Sequence, residues 1–425
     1  MLSRFRDYSM ELPDSRFFYA RLLTLTRIRA LAIILASCLW GVCLVDFATP
    51  GPFDRAGNVK FQDFLQFPIS ARLIAQGRAD QLYDDEVLAR GIRAIAGRDT
   101  RVYLQYFYGP QAAVPFIPLL SLPFLLQAGL WSGLSLVVYF VCVYLLWKRC
   151  PALQRYRGLI VVSALAYPPL FHCFVRGQLS VVVLVCVTAA LLAFENQRDF
   201  LAGVALGLLV FKPQFLIVIP LVLLLARGWR ALAGLTISAS AQVALTAVCF
   251  GRSVMEAYFT RLLHSASHPA STELAFSPIQ MHSLHSFWEI LIPWRPGVWI
   301  LYVVTSAVTI AVGARIWRSQ MPLSIRFSAL ILAAVLVNPH IYIYDLLVLA
   351  PVFLILADWA VQNKQHTSQP ALAVMLCMAF LLPLFGPVAY WTHLQLSVVC
   401  FAAILWALRS KQYLSAPGAV RMEVS

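Results

Sequence analysis

The stretch AGLWSGLSLVVYFVCVYLLW, residues 128–147, contains no charged side chain. A helix of about 20 apolar residues crosses the hydrocarbon core of a bilayer, so this stretch is long enough to span a membrane. Lys148 and Arg149 follow at once, and positive residues beside a span are typical of its cytoplasmic end. The stretch therefore predicts a transmembrane helix that ends in the cytoplasm.

The rest of the chain has the same character. It is 60% hydrophobic and only 12% charged, whereas soluble domains carry about 25% charged residues. Apolar segments are predicted at 29–46, 128–147, 158–171, 179–194, 199–211, 214–226, 231–250, 297–314, 327–339, 344–361, 371–390 and 393–408. We therefore predict an all-α integral membrane protein with about 12 transmembrane helices, forming a single polytopic domain over residues 1–425.

The distribution of positive charge supports this count. Arginines and lysines cluster before the first segment and after every second segment, and these connections must be cytoplasmic. The short connections on the opposite face carry only Arg176 and Lys212. The formal charge of +14 is thus explained by topology, and no basic block with interleaved aromatic residues predicts a nucleic-acid partner. Both termini are expected in the cytoplasm of a multi-pass cell-membrane protein.

Two long segments remain on the outer face, at 46–127 and 251–296. In the first outer loop, 46–127, the apolar spacing predicts an amphipathic surface helix over 63–75 with Gly77 as its stop, and a second over 84–96 that ends at Gly97. The apolar segment 112–127 contains three prolines, and we expect it to lie on the outer leaflet or dip into it.

Asp63 has two interpretations in this loop. The sequence Asp-Phe-Leu-Gln has the spacing of a capping box, which would make Asp63 a helix cap. A carboxylate at the membrane surface is also suited to accept a proton from an attacking hydroxyl, which contributes about 10²–10⁴-fold in rate. Spacing alone favours the cap.

Arg176 and Lys212 are the isolated cations of the short outer connections. Long cationic side chains at helix ends commonly extend toward lipid headgroups. The alternative is that they hold a phosphate group at the outer leaflet, since cations within membrane segments usually face a polar cavity or a partner. The segment NPHIYIYD, 338–345, places His340, Tyr344 and Asp345 at another outer turn, as a polar turn or as part of sugar or phosphate recognition.

Metal, cofactor and nucleotide sites are not expected. The pairs His264/His268 and His282/His285 have helical spacing but no acidic partner close by, and the nine cysteines form no C-x-x-C pair. Neither G-x-x-x-x-G-K-[ST] nor a helix-opening G-x-G-x-x-G occurs in the chain. A nucleotide-dependent reaction therefore has no support in the sequence.

Several motifs in a fixed order resemble one family. They are DF…ARLIAQG…LYD (63–84), FYGPQAAVPFIPLLSLP (107–123), RGQLSVVVL (176–184), AGVALGLLVFKPQ (202–214) and NPHIYIYDL (338–346). Together they make the chain similar to glycosyltransferase family 87 over roughly residues 30–360. These are integral membrane enzymes of the GT-C type that resemble polyprenyl-phosphomannose-dependent mannosyltransferases.

The resemblance implies a GT-C fold and an inverting transfer of mannose or another sugar on the outer face of the membrane. A polyprenyl-phosphate sugar would be the donor, and a lipid or glycan would be the acceptor. Asp63 occupies the place of the essential acid and would act as the general base. Arg176 and Lys212 would stabilise the leaving phosphate, and the resemblance implies that the pocket is lined by Tyr108, Gln178, His340 and Tyr344.

Two other functions are weighed against this one. A transporter or lipid flippase without enzymatic activity would favour ionisable residues at mid-span and short loops on both faces. The polar residues here are instead concentrated on the outer face. A glycosidase would need a pair of carboxylates flanking the scissile bond, and the sequence identifies no second one.

Overall fold

A computed structural model of the protein describes residues 24–97, 102–267, 277–363 and 369–409. These residues are helical almost throughout. Apart from two isolated β-bridges, Phe53 with Val59 and Met281 with Tyr342, the described part of the chain forms no extended pairing.

The α-helices are named in chain order. They are α1 (Leu25–Phe47), α2 (Gln66–Ala75), α3 (Asp85–Ala96), α4 (Phe124–Trp147), α5 (Arg157–Leu165), α6 (Pro168–Arg176), α7 (Ser180–Glu195), α8 (Asp199–Gly207), α9 (Ile219–Leu225), α10 (Trp229–Phe250), α11 (Arg252–Ser267), α12 (Ser277–Gln280), α13 (Leu284–Leu291), α14 (Arg295–Trp317), α15 (Leu323–Val337), α16 (Ala350–Gln362), α17 (Gln369–Leu381), α18 (Gly386–Thr392) and α19 (Leu396–Leu408).

Short 3-10 helices interrupt or extend the α-helices. They cover Gln62–Leu65, Ala79–Gln81, Pro110–Leu119, Pro151–Tyr156, Leu208–Phe211, Pro213–Leu216, Ile343–Leu349 and Leu382–Phe385. Proline is at or near the start of several of them, where its missing N–H costs no hydrogen bond.

Five helical segments are long and apolar enough to cross a membrane within the described ranges: α1, α4, α10, α14 and the continuous segment Ile343–Gln362. A sixth span is possible by length if Pro151–Leu165 and Pro168–Arg176, bent by 45°, act as one. The remaining predicted segments are apolar helices of 10–17 residues. An all-α membrane protein is confirmed, whereas the count of 12 spans and the GT-C details stay predictions.

The burial pattern separates a central helix from a peripheral one. Nearly every side chain of α15 from Ile325 to Val337 is buried, so this helix lies at the centre of the bundle. In α1 only Ala32 and Cys43 are buried, while Leu31 and Leu44 are exposed. An apolar helix with this much exposed apolar surface is suited to contact lipid.

Close backbone packing joins α8 to α10. A Cβ atom on Gly203 would lie 1.9 Å from the carbonyl oxygen of Ala231, and one on Gly234 would lie 2.1 Å from that of Phe200. Small residues let membrane helices approach until their backbones touch, and van der Waals packing then stabilises the pair. This contact fixes α8, and with it the chain break that carries Lys212.

Residues 46–127 contain helices at both predicted places, with changed boundaries. Seven of the ten residues of α2 are buried, so this helix packs within the protein and is not a surface helix, whereas the surface position of α3 stays a prediction. The helix over 84–96 is confirmed as α3, with Asp84 as its N-cap and Gly97 at its end. The prediction of one helix over 63–75 is wrong at its start, because Gln62–Leu65 is a 3-10 helix and α2 begins at Gln66. In 112–127, a 3-10 helix ends at Leu119 and the last four residues belong to α4.

Candidate functional site

The chain that carries Asp63 is fastened to the end of α1. The ammonium group of Lys60 donates hydrogen bonds to backbone carbonyls after α1, including that of Gly51 at 3.1 Å. The ring of Phe61 stacks on Phe47 with centroids 4.7 Å apart. Phe61 has φ of +52°, a backbone conformation that costs a non-glycine residue about 1–2 kcal/mol. These contacts offset that cost and direct Asp63 inward.

The carboxylate of Asp63 is held by two side chains from one distant turn. Its Oδ1 lies 3.3 Å from the Nη1 of Arg176, and its Oδ2 accepts a hydrogen bond of 2.8 Å from the Nε2 of Gln178. The side chain is only 9% exposed. The helix-cap interpretation of Asp63 is therefore wrong: its carboxylate meets a cation and an amide of α6 and its turn, and it makes no capping bond.

A left-handed glycine aims Arg176 and Gln178 at this carboxylate. Gly177 ends α6 with φ of +68°, and the backbone N–H of Gln178 donates to the carbonyl of Cys173. This is the pattern of a Schellman motif, which commonly ends helices. A Cβ atom on Gly177 would lie 2.7 Å from that of Phe64. Glycine is needed here for both the backbone angle and the contact with the Asp63 segment.

A hydrogen-bond chain continues from Gln178 to Tyr108. The Tyr108 hydroxyl donates to Oε1 of Gln178 at 2.8 Å, and the Tyr108 carbonyl accepts a bond from the Tyr83 hydroxyl at 3.0 Å. Burial, together with the negative charges of Asp345 and Asp63, raises the pKa of Tyr108 well above its ordinary value. Tyr108 thus stays protonated and orients Gln178, which in turn orients the carboxylate of Asp63.

Lys212 belongs to a second, more deeply buried ion pair. It lies at the break between two 3-10 helices, and its ammonium group pairs with Asp345 while also donating to the Ser180 hydroxyl at 3.3 Å. The Ser180 hydroxyl donates to Oδ1 of Asp345 at 2.7 Å. The side chains of Lys212 and Asp345 are 4% and 2% exposed, so the pair is almost fully removed from solvent.

Aromatic rings lie between the two ion pairs. The Lys212 nitrogen is 5.8 Å from the ring centroid of Tyr108 and 5.5 Å from that of Tyr344. Both distances are within the range of cation–π attraction. Tyr344 also stacks on Tyr342 with centroids 5.5 Å apart. The result is one cluster in which two carboxylates, two cations, Gln178 and two tyrosines are in mutual reach.

The two cations differ in accessibility. The side chain of Arg176 is 36% exposed, whereas that of Lys212 is 4% exposed. Arg176 is therefore the more accessible of the two to an anion that approaches from solvent, whereas Lys212 is enclosed with Asp345. No pattern in the sequence distinguishes the accessibility of these two residues.

His340 lies apart from this cluster. Its backbone amide donates to Oδ1 of Asn338 at 3.0 Å, and within the described residues its ring makes no hydrogen bond to the Asp63 or Lys212 pair. Burial lowers its pKa, and its electrostatic neighbour is His285. Of the residues predicted for the site, the cluster thus brings together Asp63, Tyr108, Arg176, Gln178, Lys212 and Tyr344, but not His340.

The histidine pairs of the second outer segment have other contacts. His268 lies outside the described residues, as does the side chain of His264. His282 shares a hydrogen bond of 2.8 Å with the Ser397 hydroxyl, and the ring of His285 packs on Trp299. The expectation that no acidic partner lies close to these histidines is wrong for His285, because its Nδ1 is 3.6 Å from Oε2 of Glu289, one helical turn further on. The described residues contain no group of three metal-ligating side chains.

Sequence reasoning missed two members of the cluster. The sequence patterns predict Asp345 only as part of a polar turn or a recognition element, without a cation partner, and they do not single out Ser180. A signal for the pair was present, because Lys212 and Asp345 are opposite charges at helix breaks in otherwise apolar surroundings. Such charges inside membrane proteins usually pair with each other.

Comparison with known proteins adds one match. A family model described as glycosyltransferase family 87 matches residues 106–339, more than half of the chain. The match includes the elements that carry Tyr108, Arg176, Gln178 and Lys212, and it confirms the resemblance found in the sequence. No curated protein and no solved structure matches the chain.

Proposed function

The chain belongs to glycosyltransferase family 87, and from that premise we propose that this membrane glycosyltransferase moves a sugar from a polyprenyl-phosphate donor to a lipid or glycan acceptor. Mannose or another hexose or pentose is the transferred sugar. The reaction takes place on the outer face of the cell membrane, where the positive-inside rule puts the first outer loop.

The observation that carries the proposal is the pairing of Asp63 with Arg176. A nearly buried carboxylate lies 3.3 Å from a guanidinium whose side chain is 36% exposed. A base and an anion-binding group are thus side by side at the edge of a largely water-excluded cluster. An inverting transfer from a phosphate-linked sugar needs both groups, one for each reacting end.

In the proposed reaction the Asp63 carboxylate accepts the proton of the acceptor hydroxyl. The oxygen of that hydroxyl forms a bond to the anomeric carbon, while the bond from this carbon to the phosphate oxygen breaks with its electron pair. The products are the inverted glycoside, protonated Asp63 and polyprenyl phosphate. Gln178 holds the carboxylate through a hydrogen bond of 2.8 Å, and the Tyr108 hydroxyl holds Gln178 through another of 2.8 Å.

Arg176 binds the phosphate of the donor in this scheme. A guanidinium can donate two parallel hydrogen bonds to phosphate oxygens, which makes it a specific partner for this group. Lys212 supplies a second positive charge from deeper in the cluster. Both stabilise the charge that develops on the leaving phosphate, and removing a single group of this kind typically costs about 10²–10³ in rate.

One observation favours the alternative of a transporter or lipid flippase. The Lys212–Asp345 pair is almost fully buried at two helix breaks, and transporters commonly have ionisable pairs and broken helices at their binding sites. Family membership weighs against this alternative. A glycosyltransferase cleaves the sugar–phosphate bond of the donor, whereas a transporter or flippase moves the donor intact, so an experiment can distinguish the two functions.

The test is sugar transfer by the purified protein in lipid vesicles, with polyprenyl-phosphate mannose, other polyprenyl-phosphate sugars or nucleotide sugars as donors. Extracts of membrane lipids and glycans serve as acceptors. We expect a labelled glycoside and free polyprenyl phosphate from a lipid-linked donor, and none from nucleotide sugars. Movement of the intact donor across the bilayer, with no cleavage of the sugar–phosphate bond, would establish the transporter instead.

A further inference from the structure

Asp345 has no part in the proposed transfer chemistry, although it is the most buried charge of the cluster. Its Oδ1 is bound by Lys212 and by the Ser180 hydroxyl, and its Oδ2 accepts the Tyr342 amide at 3.4 Å. A buried carboxylate is costly unless it is paired, and here its pairing masks a cation of the reaction. The question is what the reaction gains from a masked Lys212.

A charge count before the reaction gives a neutral site. Asp63 and Asp345 carry one negative charge each, and Arg176 and Lys212 carry one positive charge each, so the sum is zero. The donor is a phosphodiester with one negative charge. Its affinity then depends on local contacts with the accessible Arg176 and on its apolar chain, with no net attraction from the site.

After transfer the count changes in a way that holds the product. Asp63 has taken the acceptor proton and is neutral, so the site carries one net positive charge. The polyprenyl phosphate is now a monoester with a charge of about −1.5 to −2 at neutral pH. Both changes strengthen the attraction between the site and the polyprenyl phosphate. Slow release of this product would limit turnover, as product release does in many enzymes.

Without Asp345 this retention would be stronger still. The site would then carry a net charge of +1 with the donor and +2 with the product. A unit charge about 6 Å from a singly charged phosphate, at an effective dielectric of about 20, changes affinity by up to roughly 100-fold. An enzyme with Lys212 unmasked would thus bind its own product tightly.

We propose that Asp345 is a positioning residue that reclaims Lys212 from the lipid phosphate product and so speeds the release of that product. This inference rests on the proposed function, because it concerns the product of that transfer. Lys212 shifts toward the phosphate as charge develops there, and it returns to Asp345 as the product leaves. Asp345 stays in place during this exchange, since Ser180 and the Tyr342 amide still hold its carboxylate.

The experiment compares wild type with Asp345→Asn, which keeps the size of the side chain and removes its charge. Binding of farnesyl phosphate, a short-chain prenyl monophosphate, is measured on the purified proteins, with farnesol as the uncharged control. We expect Asp345→Asn to bind farnesyl phosphate roughly 10- to 100-fold more tightly than wild type does. The two proteins should bind farnesol with equal affinity. In transfer assays it should give a burst of about one product per enzyme followed by slow turnover, while Asp345→Glu turns over without a burst.

A second variant keeps the test decisive if Asp345→Asn does not fold. The double variant Lys212→Met, Asp345→Asn removes both charges. Proteins often tolerate the loss of both partners of a buried ion pair, because no charge is left unpaired. Its site charge equals that of wild type, so it should bind farnesyl phosphate more weakly than wild type, because the contact with Lys212 is lost. Affinity equal to that of wild type in either variant would overturn the inference. A wild type that transfers no sugar would overturn the proposed function instead, and the binding results would stand apart from it.

Discussion

Asp63 is held by one cation and one neutral donor, and Asp345 by one cation and two neutral donors, yet the two carboxylates differ more in their exposure. Asp63 is bound by Arg176 and Gln178 and opens toward a partly exposed guanidinium. Asp345 is bound by Lys212 and Ser180 and is closed off. This difference in accessibility supports the proposals that Asp63 transfers the proton and that Asp345 controls the position of a cation.

At the residue scale, Tyr108→Phe tests the hydrogen-bond chain that orients Asp63. The variant keeps the buried ring and loses the hydroxyl that donates to Gln178 at 2.8 Å. We expect kcat to fall about tenfold with little change in the KM of the donor, because a net hydrogen bond is worth about 0.5–1.5 kcal/mol. Steady-state transfer assays measure both constants.

Tyr103→Phe is the matched control, since Tyr103 is 43% exposed and belongs to the same outer segment. It should transfer sugar at the wild-type rate. An unchanged kcat in Tyr108→Phe would mean that Gln178 holds the carboxylate without help from the phenol.

At the scale of elements, the turn after α6 is the part most sensitive to substitution. Gly177→Ala forces a side chain into a left-handed backbone and against Phe64, 2.7 Å away. We expect a loss of about 1–3 kcal/mol in stability and a larger loss of transfer activity, because Arg176 and Gln178 both shift. Thermal unfolding in detergent and transfer assays are the measurements.

Gly133→Ala provides the comparison for that variant. Gly133 lies in α4, and a Cβ atom there would meet no atom within 4 Å. Its unfolding temperature should not fall, because alanine has a higher helix propensity than glycine. Equal behaviour of the two variants would contradict the account of the turn.

Local elements were largely predictable, and the site was predictable only in part. Apolar runs indicate the helices, and Asp84 and Gly97 mark the two ends of α3, because each signal lies next to the helix end that it marks. The partners of Asp63 lie 113 and 115 residues away in the chain, and Lys212 and Asp345, which pair with each other, are 133 residues apart. The capping-box spacing at Asp63 is a local signal, so it indicates a local role. Contacts between residues so far apart in the chain leave no such local pattern.

At the scale of the whole molecule, buried histidines make stability depend on pH. His282 joins the second outer segment to Ser397 of α19 and to the carbonyl of Ile341. Burial, with a smaller effect from the positive charge of His172, lowers the pKa of His282 to about 3. Burial, with a smaller effect from His340, also lowers the pKa of His285, to about 4. The Glu289 carboxylate, 3.6 Å from the ring of His285, opposes this shift, so His282 is the better residue for a test.

The expected result is lower stability in acid. An unfolded histidine has a pKa of about 6.5, so between pH about 6.5 and about 3 the unfolded state binds more protons than the folded state. The free energy of unfolding therefore falls as the pH falls through this window, and above it the histidine has no effect. The unfolding temperature in detergent, measured from about pH 7.5 to about pH 5, should fall steadily below pH 6.5.

Replacement of the histidine isolates its contribution. His282→Gln should lower the steepness of this fall, because glutamine does not titrate. His393→Asn, at an exposed position, should leave the slope unchanged. An identical slope in wild type and His282→Gln would show that other groups govern acid stability.

The central claim is that Asp63 is the general base of a sugar transfer from a polyprenyl-phosphate donor. It is tested most directly by the transfer rate of Asp63→Asn in lipid vesicles. Two variants are compared with it, Asp46→Asn in the last turn of α1 and the exposed Asp80→Asn, and donor binding is measured on each protein. The account predicts a loss of at least about 10²-fold in kcat for Asp63→Asn, with donor binding retained and the other two variants active. Full activity of Asp63→Asn together with its loss in Asp46→Asn would contradict the claim and assign the base to Asp46.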